Sequence, residues 1–368
     1  MNVYVLGVAT HPPAQRIGHL RLEEMVYHTS RAALDHAGVS RGEIDNVTLG
    51  ACDELDGRSI SSMLLSAPAG AYLKDEIKVT DSGATALCLA AARIASGDFH
   101  LGLVASWCKS SKTDVESVMR FRADPFYTRP FGLNMAITDA LFAQAVADEL
   151  GITDAEVARR VVRAYERAAA NPRGMRHEVP TEAQIAESDL IATPLRSGHR
   201  APFTDGAVAM ILASDTWLRA HPRARPLARL AGLGWATDGY QLGRERLRGM
   251  RSARLAWAMA MRHAQVSDAD ALDLVELDSQ TGHHEAACVR AFGLTARTAL
   301  SPSGGPFAQN PFFCSGLINA AEAVLQVAGD AGQVQVAGAR RAAAQACHGF
   351  ALQGSVVMIF EAPGPHDA

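Results

Sequence analysis

The segment VTDSGATAL (residues 79–87) stands between a short apolar run and a long alanine-rich run, residues 89–95, which ends at Ser96-Gly97. This order predicts a strand that turns into a buried helix, with Thr80 or Asp81 as the N-cap. The N-terminus of a buried helix stabilises a nucleophile or an anion, because its free N–H groups and the helix dipole point outward. Thr80 therefore stands where a nucleophile is expected, although an N-cap at a turn explains the same residue.

Strands and helices alternate on both sides of this turn, which predicts a layered α/β fold. Apolar runs predict strands, and amphipathic patterns predict helices at residues 22–37 and 58–71. Residues 111–199 break the alternation with prolines and polar clusters around two helical patterns, residues 134–150 and 154–170. We interpret residues 111–199 as an insertion that lies over the face carrying the site. The predicted strands are residues 3–9, 44–50, 77–79, 101–106 and 205–212.

The second half of the chain resembles the first half. Cys314-Ser315-Gly316 opens a helical run as Asp81-Ser82-Gly83 does. Three further pairs of segments are similar: residues 228–238 and 3–11, residues 256–278 and 31–52, and residues 355–361 and 101–106. We therefore predict an internal duplication, with a site where the two helix N-termini converge. The predicted N-terminal half is residues 1–110 and 200–222, the insertion is 111–199, and the C-terminal half is 223–368.

The composition argues against several classes of protein. The 368 residues are 48% hydrophobic and 20% charged with a net charge of −4, which indicates a well-buried globular protein without a basic surface for nucleic acid. None of the six cysteines forms a CxxC pair, so we expect no metal site. No apolar run reaches the roughly 18 residues of a membrane span. The chain starts directly with a strand-like segment, which predicts a cytoplasmic protein.

Further motifs accompany residues 78–97 along nearly the whole chain. They are IATPLR (191–196) with TDGA (204–207), VEL (275–277), SPSGG (301–305), NP (310–311) with SG (315–316), and residues 346–354. Together these motifs resemble the thiolase superfamily, and within it the sterol-carrier-protein-type thiolases. The resemblance implies a five-layered αβαβα fold of two duplicated halves and a homodimer. It also implies action on acyl-CoA or acyl-carrier thioesters, with CoA as part of the substrate and no bound cofactor.

The same resemblance assigns catalytic positions to Thr80, Asn310, Asp278 and Cys347-His348-Gly349. The family has a cysteine nucleophile at the first, a histidine at the second and an asparagine or histidine at the third, so this chain departs from the pattern at these positions. A threonine hydroxyl is not readily ionised as a thiol is, and the Asn310 amide cannot act as its base. The usual acyl-enzyme is therefore expected to be lost, while Asn310 and the Gly349 N–H remain as donors for a thioester oxygen.

Each candidate residue also has a purely structural explanation. Cys347 or His348 transfers a proton, or only packs in the core. Asp278 is a general base with a raised pKa, or a carboxylate held by caps and turns. A loop that contains Ser303, Gly304 and Gly305 borders the pantetheine channel, as the resemblance implies. Alternatively, it is only a tight turn whose backbone conformation requires glycine.

Three other polar residues stand close to the predicted site. His283 and His284 follow Gly282 and are expected to cap the next helix, with at least one of them on the surface. Cys314 stands near the second helix N-terminus, where the pKa of a thiol can be lowered, although a small packed residue is the simpler interpretation.

Two functions remain open from the sequence. In the first, the chain is an enzyme that makes or breaks a carbon–carbon bond, or transfers an acyl group, without an acyl-enzyme. The resemblance extends to retro-aldolases that cleave β-hydroxyacyl-CoA together with a partner of OB-fold and zinc-ribbon type. In the second, the chain is a non-catalytic thiolase-like subunit of a multisubunit acyltransferase complex. A base in a dry pocket favours the enzyme, and a pocket filled by Phe307, Phe312, Phe313 or Phe350 favours the subunit.

Overall fold

The computed structural model describes residues 2–175 and 178–364. Its strands are β1 (Val3–Thr10), β2 (Asn46–Gly50), β3 (Asp75–Val79), β4 (Leu101–Lys109), β5 (Leu190–Ala192), β6 (Leu195–Arg196), β7 (Asp205–Ser214), β8 (Ala228–Thr237), β9 (Leu274–Glu276), β10 (Ala299–Leu300), β11 (Arg341–His348) and β12 (Gly354–Glu361). Its helices are α1 (Leu22–Ala37), α2 (Asp53–Asp56), α3 (Ser62–Ala69), α4 (Gly83–Ser96), α5 (Val115–Arg122), α6 (Met135–Leu150), α7 (Asp154–Ala170), α8 (Glu182–Ala186), α9 (Asp215–Ala220), α10 (Arg244–Gly249), α11 (Arg251–His263), α12 (Gly282–Phe292) and α13 (Ser315–Ala328).

Capping residues set where the helices begin. The predicted helices 22–37 and 154–170 are confirmed as α1 and α7, and a capping box between Thr153 and Glu156 starts α7. The N-cap of α4 is Ser82, whose Oγ accepts the N–H of Thr85 at 3.3 Å, so the N-cap predicted at Thr80 or Asp81 is wrong. The helix predicted at residues 58–71 is also too long, because α3 covers only Ser62–Ala69.

The two halves of the chain have the same strand order. The first half reads β3-β2-β4-β7-β1 and the second reads β10-β9-β11-β12-β8, so both run third, second, fourth, fifth, first. The two half-sheets join into one ten-stranded sheet through the pairs Tyr4–Arg229 and Val5–Ala228 of β1 and β8. A repeated order of this kind is what an internal duplication predicts.

This order corrects two expectations from the sequence. The last strand, β12, is the fifth strand of its half and therefore corresponds to β7, and not to β4 as residues 355–361 and 101–106 had suggested. The strand that does correspond to β4 is β11, RAAAQACH, which the sequence pattern does not predict because alanine has a low β-propensity. Its position between β9 and β12 supplies backbone partners on both edges.

Helices and half-sheets stack in five layers, αβαβα. Helix α1, with α3 beside it, covers the first half-sheet; α4 and α13 lie between the half-sheets; α11 and α12 cover the second. The central helices approach closely at their N-terminal ends. A Cβ on Gly83 would lie 2.9 Å from the Cβ of Leu317 in α13, and one on Gly316 would lie 3.1 Å from the Cβ of Ala84 in α4. Glycine at both positions therefore lets the two helix N-termini meet.

Residues between β4 and β7 pack over the ends of these central helices. Helix α6 contacts α5, α10 and α12, and α7 contacts α12 and the turn at residues 305–307. The helices in the described ranges include none that is both long and apolar enough to cross a membrane. A cavity lies beneath this cover.

Candidate active site

A narrow cavity of about 70 Å³ lies where the N-termini of α4 and α13 meet the end of β11 and the turn after β9. One wall carries polar side chains from the two duplicated halves. A second wall comes from α5, α6, α12 and the residues before β7. The first wall contains Ser82, Asp278, Gln280, Ser315, Cys347 and His348, and the second contains Met119, Met135, Asp139, Arg200 and His284.

The Asp278 carboxylate is the centre of the first wall. Its Oδ1 accepts a hydrogen bond from Gln280 Nε2 at 2.7 Å, and its Oδ2 accepts one from the Cys347 backbone N–H at 3.2 Å. The Cys347 thiol Sγ lies 3.5 Å from the same Oδ2 and donates to it. Residues 278 and 347 are thus brought together by the neighbouring strands β9 and β11.

Burial controls the protonation of this pair. Asp278 is only 3% exposed, and burial raises the pKa of its carboxyl above the ordinary value, although its hydrogen bonds from Cys347 and Gln280 act in the opposite direction. Burial and the neighbouring Asp278 carboxylate raise the pKa of the Cys347 thiol well above its usual value. The thiol therefore stays protonated near neutral pH, which suits a proton donor and not a thiolate nucleophile.

His348 follows Cys347 at the end of β11 and faces the N-terminus of α4. Its Nε2 lies 3.5 Å from Oδ2 of Asp81. Its Nδ1 is buried and has no hydrogen-bond partner within residues 2–175 and 178–364. A Cβ at position 354 would lie 1.8 Å from His348 Nε2, so Gly354 provides the space for the ring. Gly349, next in the chain, has φ 71° and also lines the cavity.

Asn310 lies behind this wall and does not line the cavity. Its side-chain amide is fully buried and pairs with the amide of Gln280, with Nδ2 donating to Gln280 Oε1 at 2.7 Å. Gln280 Nε2 in turn bridges Asp278 Oδ1 and Asn310 Oδ1. The structure therefore connects Asn310 to the Asp278 carboxylate through Gln280, and the Asn310 amide does not line the cavity as the expected donor to a thioester oxygen would.

Thr80 is separated from the other candidates. Its side chain is exposed and lies outside the cavity lining, and its backbone carbonyl accepts a hydrogen bond from Arg122 at 3.4 Å. The residue that α4 presents to the cavity is Ser82, which is 2% exposed. That Thr80 replaces a cysteine nucleophile stays a prediction.

The loop predicted to border a pantetheine channel forms a tight buried turn in contact with Glu276. Ser303 Oγ donates to Glu276 Oε2 at 2.6 Å, and Ser303 N–H donates to Oε1 at 3.1 Å. Burial, with Glu322 nearby, raises the pKa of the Glu276 carboxyl to about 8. Gly304 faces the backbone of α7, where a Cβ would lie 2.6 Å from Ala168 N. Ser303, Gly304 and Gly305 all lie outside the lining of the cavity.

Aromatic side chains narrow the cavity. Phe312 and Phe313 line it, with ring centroids 4.5 Å apart, and Phe203 packs edge-on against Phe312 at 5.4 Å. Phe307 packs against Tyr165 in another cluster, and Phe350 lies in the core beside Cys52. Of the four phenylalanines expected to fill a pocket, Phe312 and Phe313 are therefore those at its lining.

Some residues of the cavity were not found by sequence reasoning. Gln280, Asp139 and Arg200 belong to none of the motifs quoted above; Asp139 lies on α6, Gln280 in the turn between β9 and α12, and Arg200 before β7. His283 and His284 are both buried, so the expected surface position for one of them is wrong. Cys314 is also buried, and burial raises the pKa of its thiol to about 12, opposite to the lowering expected at a helix N-terminus.

Known proteins with related sequences include an acetyltransferase and a sterol carrier protein. No protein-family model matches the chain. An acetyl-CoA acetyltransferase of Methanothermobacter thermautotrophicus is 25% identical over 366 residues, which cover 92% of this chain and 94% of that protein. Sterol carrier protein 2 of Gallus gallus is 24% identical over 315 residues, which cover 77% of this chain and 57% of that protein.

Solved structures share the fold over nearly the full length. The Ltp2-ChsH2(DUF35) aldolase superposes with a TM-score of 0.82 at 17% identity, covering 98% of each chain. Human mitochondrial 3-ketoacyl-CoA thiolase superposes with a TM-score of 0.79 at 18% identity, covering 99% of each. The fold is thus thiolase-like, as the sequence predicts. The related sequences support the same resemblance, to a thiolase-superfamily protein similar to the sterol-carrier-protein-type thiolases.

Proposed function

We propose that this chain cleaves the carbon–carbon bond of a β-hydroxyacyl thioester by retro-aldol chemistry, with Asp278 as the general base. The observation that supports this proposal is the buried carboxylate on the cavity wall, held by Gln280 and by the backbone N–H of Cys347. Burial raises the pKa of Asp278, and a carboxylate with a raised pKa accepts a proton from a substrate more readily than a solvated one.

In this reaction Asp278 takes the proton of the β-hydroxyl. The bond between the α- and β-carbons breaks, the β-carbon becomes a carbonyl, and the bonding electron pair moves into the thioester as an enolate. The N-terminus of α4, where the Ser82 hydroxyl lines the cavity, favours the negative charge on the enolate oxygen. The Cys347 thiol gives its proton to the α-carbon and regains one from Asp278, 3.5 Å away. The products are a ketone or aldehyde and a shorter acyl thioester.

This route needs no acyl-enzyme. Cys347 is the thiol at the cavity among the described residues, and its raised pKa keeps it protonated. The thioester is in this proposal an acyl-CoA or acyl-carrier substrate, with CoA as part of the substrate. A partner protein of OB-fold and zinc-ribbon type, a homodimer and a cytoplasmic location belong to the same proposal. One neighbour in fold is an aldolase with a DUF35 component, which supports the idea of a partner.

The test is the cleavage of 3-hydroxyacyl-CoA by the purified chain, alone and with any protein that co-purifies with it. Mass spectrometry would follow the shorter acyl-CoA and the carbonyl product. We expect product formation that depends on Asp278. Product formation no faster than in protein-free buffer, under both conditions, would refute the proposal.

A non-catalytic subunit of an acyltransferase complex is the second candidate. The observation that favours it is the small size of the cavity, about 70 Å³, together with Phe312 and Phe313 at its lining. Pockets that bind small molecules are usually larger, about 300 to 1,000 Å³. Calorimetry with acetyl-CoA and 3-hydroxybutyryl-CoA separates the two candidates, since an enzyme must bind a thioester and a scaffold need not. Absence of heat at millimolar concentration favours the subunit.

A further inference from the structure

The second wall of the cavity contains a buried histidine that the proposed reaction does not use. His284 lies in the first turn of α12, where its N–H donates to the N-cap Thr281 Oγ1 at 3.2 Å. The residue is 3% exposed, and its ring lines the cavity. The Phe142 ring packs edge-on against it with centroids 5.1 Å apart, which fixes its orientation. His284 therefore lines the same cavity as Asp278.

Neither ring nitrogen of His284 has a hydrogen-bond partner within the described ranges. Burial, followed by the nearby His283 and Arg200 charges, lowers the pKa of the ring to about 3. The imidazole is therefore neutral at physiological pH, with one N–H donor and one acceptor nitrogen. A buried polar group without a partner destabilises the protein, so a hydrogen-bonding group of a ligand would be bound favourably by the ring.

The surroundings of His284 restrict the kind of group that fits. The Arg200 guanidinium donates two hydrogen bonds to Glu116 Oε1, at 3.1 and 3.2 Å, and lies 3.8 Å from Asp139 Oδ2. The cation is thus already paired with carboxylates and is not free to bind an anion. Burial raises the pKa of the Asp139 carboxyl to about 7, so this group is only partly ionised near physiological pH and Glu116 is the main partner of the Arg200 cation. A neutral oxygen, a hydroxyl or a ketone, suits this wall better than a charged group.

We propose that His284 binds an oxygen of the acyl group other than the one that Asp278 deprotonates, so that the substrate is a short acyl thioester carrying a second hydroxyl or keto group. This inference rests on the proposed function, because it assigns the substrate class of the same cavity. A site built to pair with a substrate oxygen rejects an analogue without it, since the protein group is then left buried and unpaired. A hydrocarbon acyl group would leave the His284 ring buried and without a hydrogen-bond partner.

The experiment compares two thioesters that differ by one hydroxyl, 3-hydroxybutyryl-CoA and 3,4-dihydroxybutyryl-CoA. Calorimetry would give the dissociation constants for the wild-type chain and for His284→Phe, His284→Gln and His283→Phe. Phenylalanine removes both ring nitrogens, whereas glutamine keeps a donor and an acceptor. His283 is the matched control: it is equally buried in the same turn of α12, but its ring packs against His199 and it lies outside the cavity lining. Circular dichroism would check that each variant is folded.

We expect the wild-type chain to bind the dihydroxy thioester about tenfold more tightly than the monohydroxy one, because one added hydrogen bond lowers the dissociation constant by about that factor. The preference should disappear in His284→Phe, return in part in His284→Gln, and persist in His283→Phe. An equal affinity for the two thioesters in the wild type, or an unchanged preference in His284→Phe, would overturn the inference. Cleavage without such a preference refutes the role of His284 alone, and a preference without cleavage refutes the retro-aldol proposal alone. No binding of either thioester refutes both.

Discussion

Replacing the Asp278 carboxylate by an amide is the sharpest test of the proposed chemistry. In Asp278→Asn the side chain keeps its shape but can no longer take a proton from a substrate hydroxyl. One amide oxygen can still accept from Gln280 Nε2 or from the Cys347 N–H, while the new NH₂ group faces the other donor. The variant therefore removes the base and about one hydrogen bond.

The two effects differ in size. General base catalysis contributes about 10²- to 10⁴-fold to a rate, which corresponds to roughly 3 to 5 kcal/mol in the activation barrier. Loss of one buried hydrogen bond costs about 1 to 3 kcal/mol of stability, and removal of a buried charge offsets part of that loss. We thus expect kcat to fall at least a hundredfold while the free energy of unfolding changes by no more than roughly 2 kcal/mol.

The assay is the initial rate of cleavage of a 3-hydroxyacyl-CoA, followed by mass spectrometry of the shorter thioester, with urea unfolding measured in parallel. Glu276→Gln is the matched control, because Glu276 is also a buried carboxyl on the same strand region but lies outside the cavity lining. The wild-type rate should rise with pH as Asp278 ionises, with its midpoint above the ordinary aspartate value of 3.8. Asp278→Asn should lose this dependence.

Two results would contradict the reasoning. A rate within threefold of wild type in Asp278→Asn would show that another group takes the proton. An equally large loss of rate in Glu276→Gln, with the fold intact, would show that the effect follows from any change to a buried carboxyl and not from the base.

Three further outcomes follow from other contacts. The pKa of the Glu276 carboxyl is raised from 4.5 to about 8, so its contribution to stability is fully present below pH 4.5 and is lost as the pH rises to 8. In this window the wild-type free energy of unfolding should fall by about 1.4 kcal/mol per pH unit relative to that of Glu276→Gln. A difference between the two proteins that does not change with pH in urea titrations would contradict this expectation. Iodoacetamide at pH 8 should leave Cys347 unmodified in native protein, because burial and Asp278 raise the pKa of its thiol; rapid alkylation found by peptide mass spectrometry would refute this. Thr80→Ala should keep at least half of the wild-type rate, since Thr80 is exposed. Gly354→Ala should lower the rate more than tenfold, because the displaced His348 ring shifts the adjoining Cys347, the proposed proton donor; the reverse order of rates would be inconsistent with the site described.

The sequence predicts the local elements well where a pattern is strong. Amphipathic periodicity predicts helices α1 and α7, because one apolar face is buried whichever element the helix packs against. Strand β11 escapes this reasoning because its alanines have no strong preference, and only the neighbouring strands β9 and β12 decide its conformation. The N-cap of α4 is displaced from the predicted residue for a similar reason, since Thr80, Asp81 and Ser82 can all cap a helix.

The candidate site likewise contains residues that sequence motifs mark and residues that only the tertiary packing brings to the cavity. The resemblance to the thiolases marks both Asp278 and Cys347, and parallel pairing of β9 with β11 brings them into contact. The second wall has no motif, because His284 and Arg200 come from segments far apart in the chain that meet only when α12 packs under the cover of residues 111–199.

The sequence alone predicts the alternation of strands and helices, the two similar halves and the thiolase-like fold, because these depend on short-range patterns and on motifs that each occupy a few neighbouring residues. The tertiary structure decided which of the marked residues share a cavity. It turned Thr80 outward and Ser82 inward, buried Asn310 behind Gln280, and left His284 facing the cavity with unpaired nitrogens. Burial and long-range contacts set these positions and the pKa values that follow from them, and neither is encoded in the order of neighbouring residues alone.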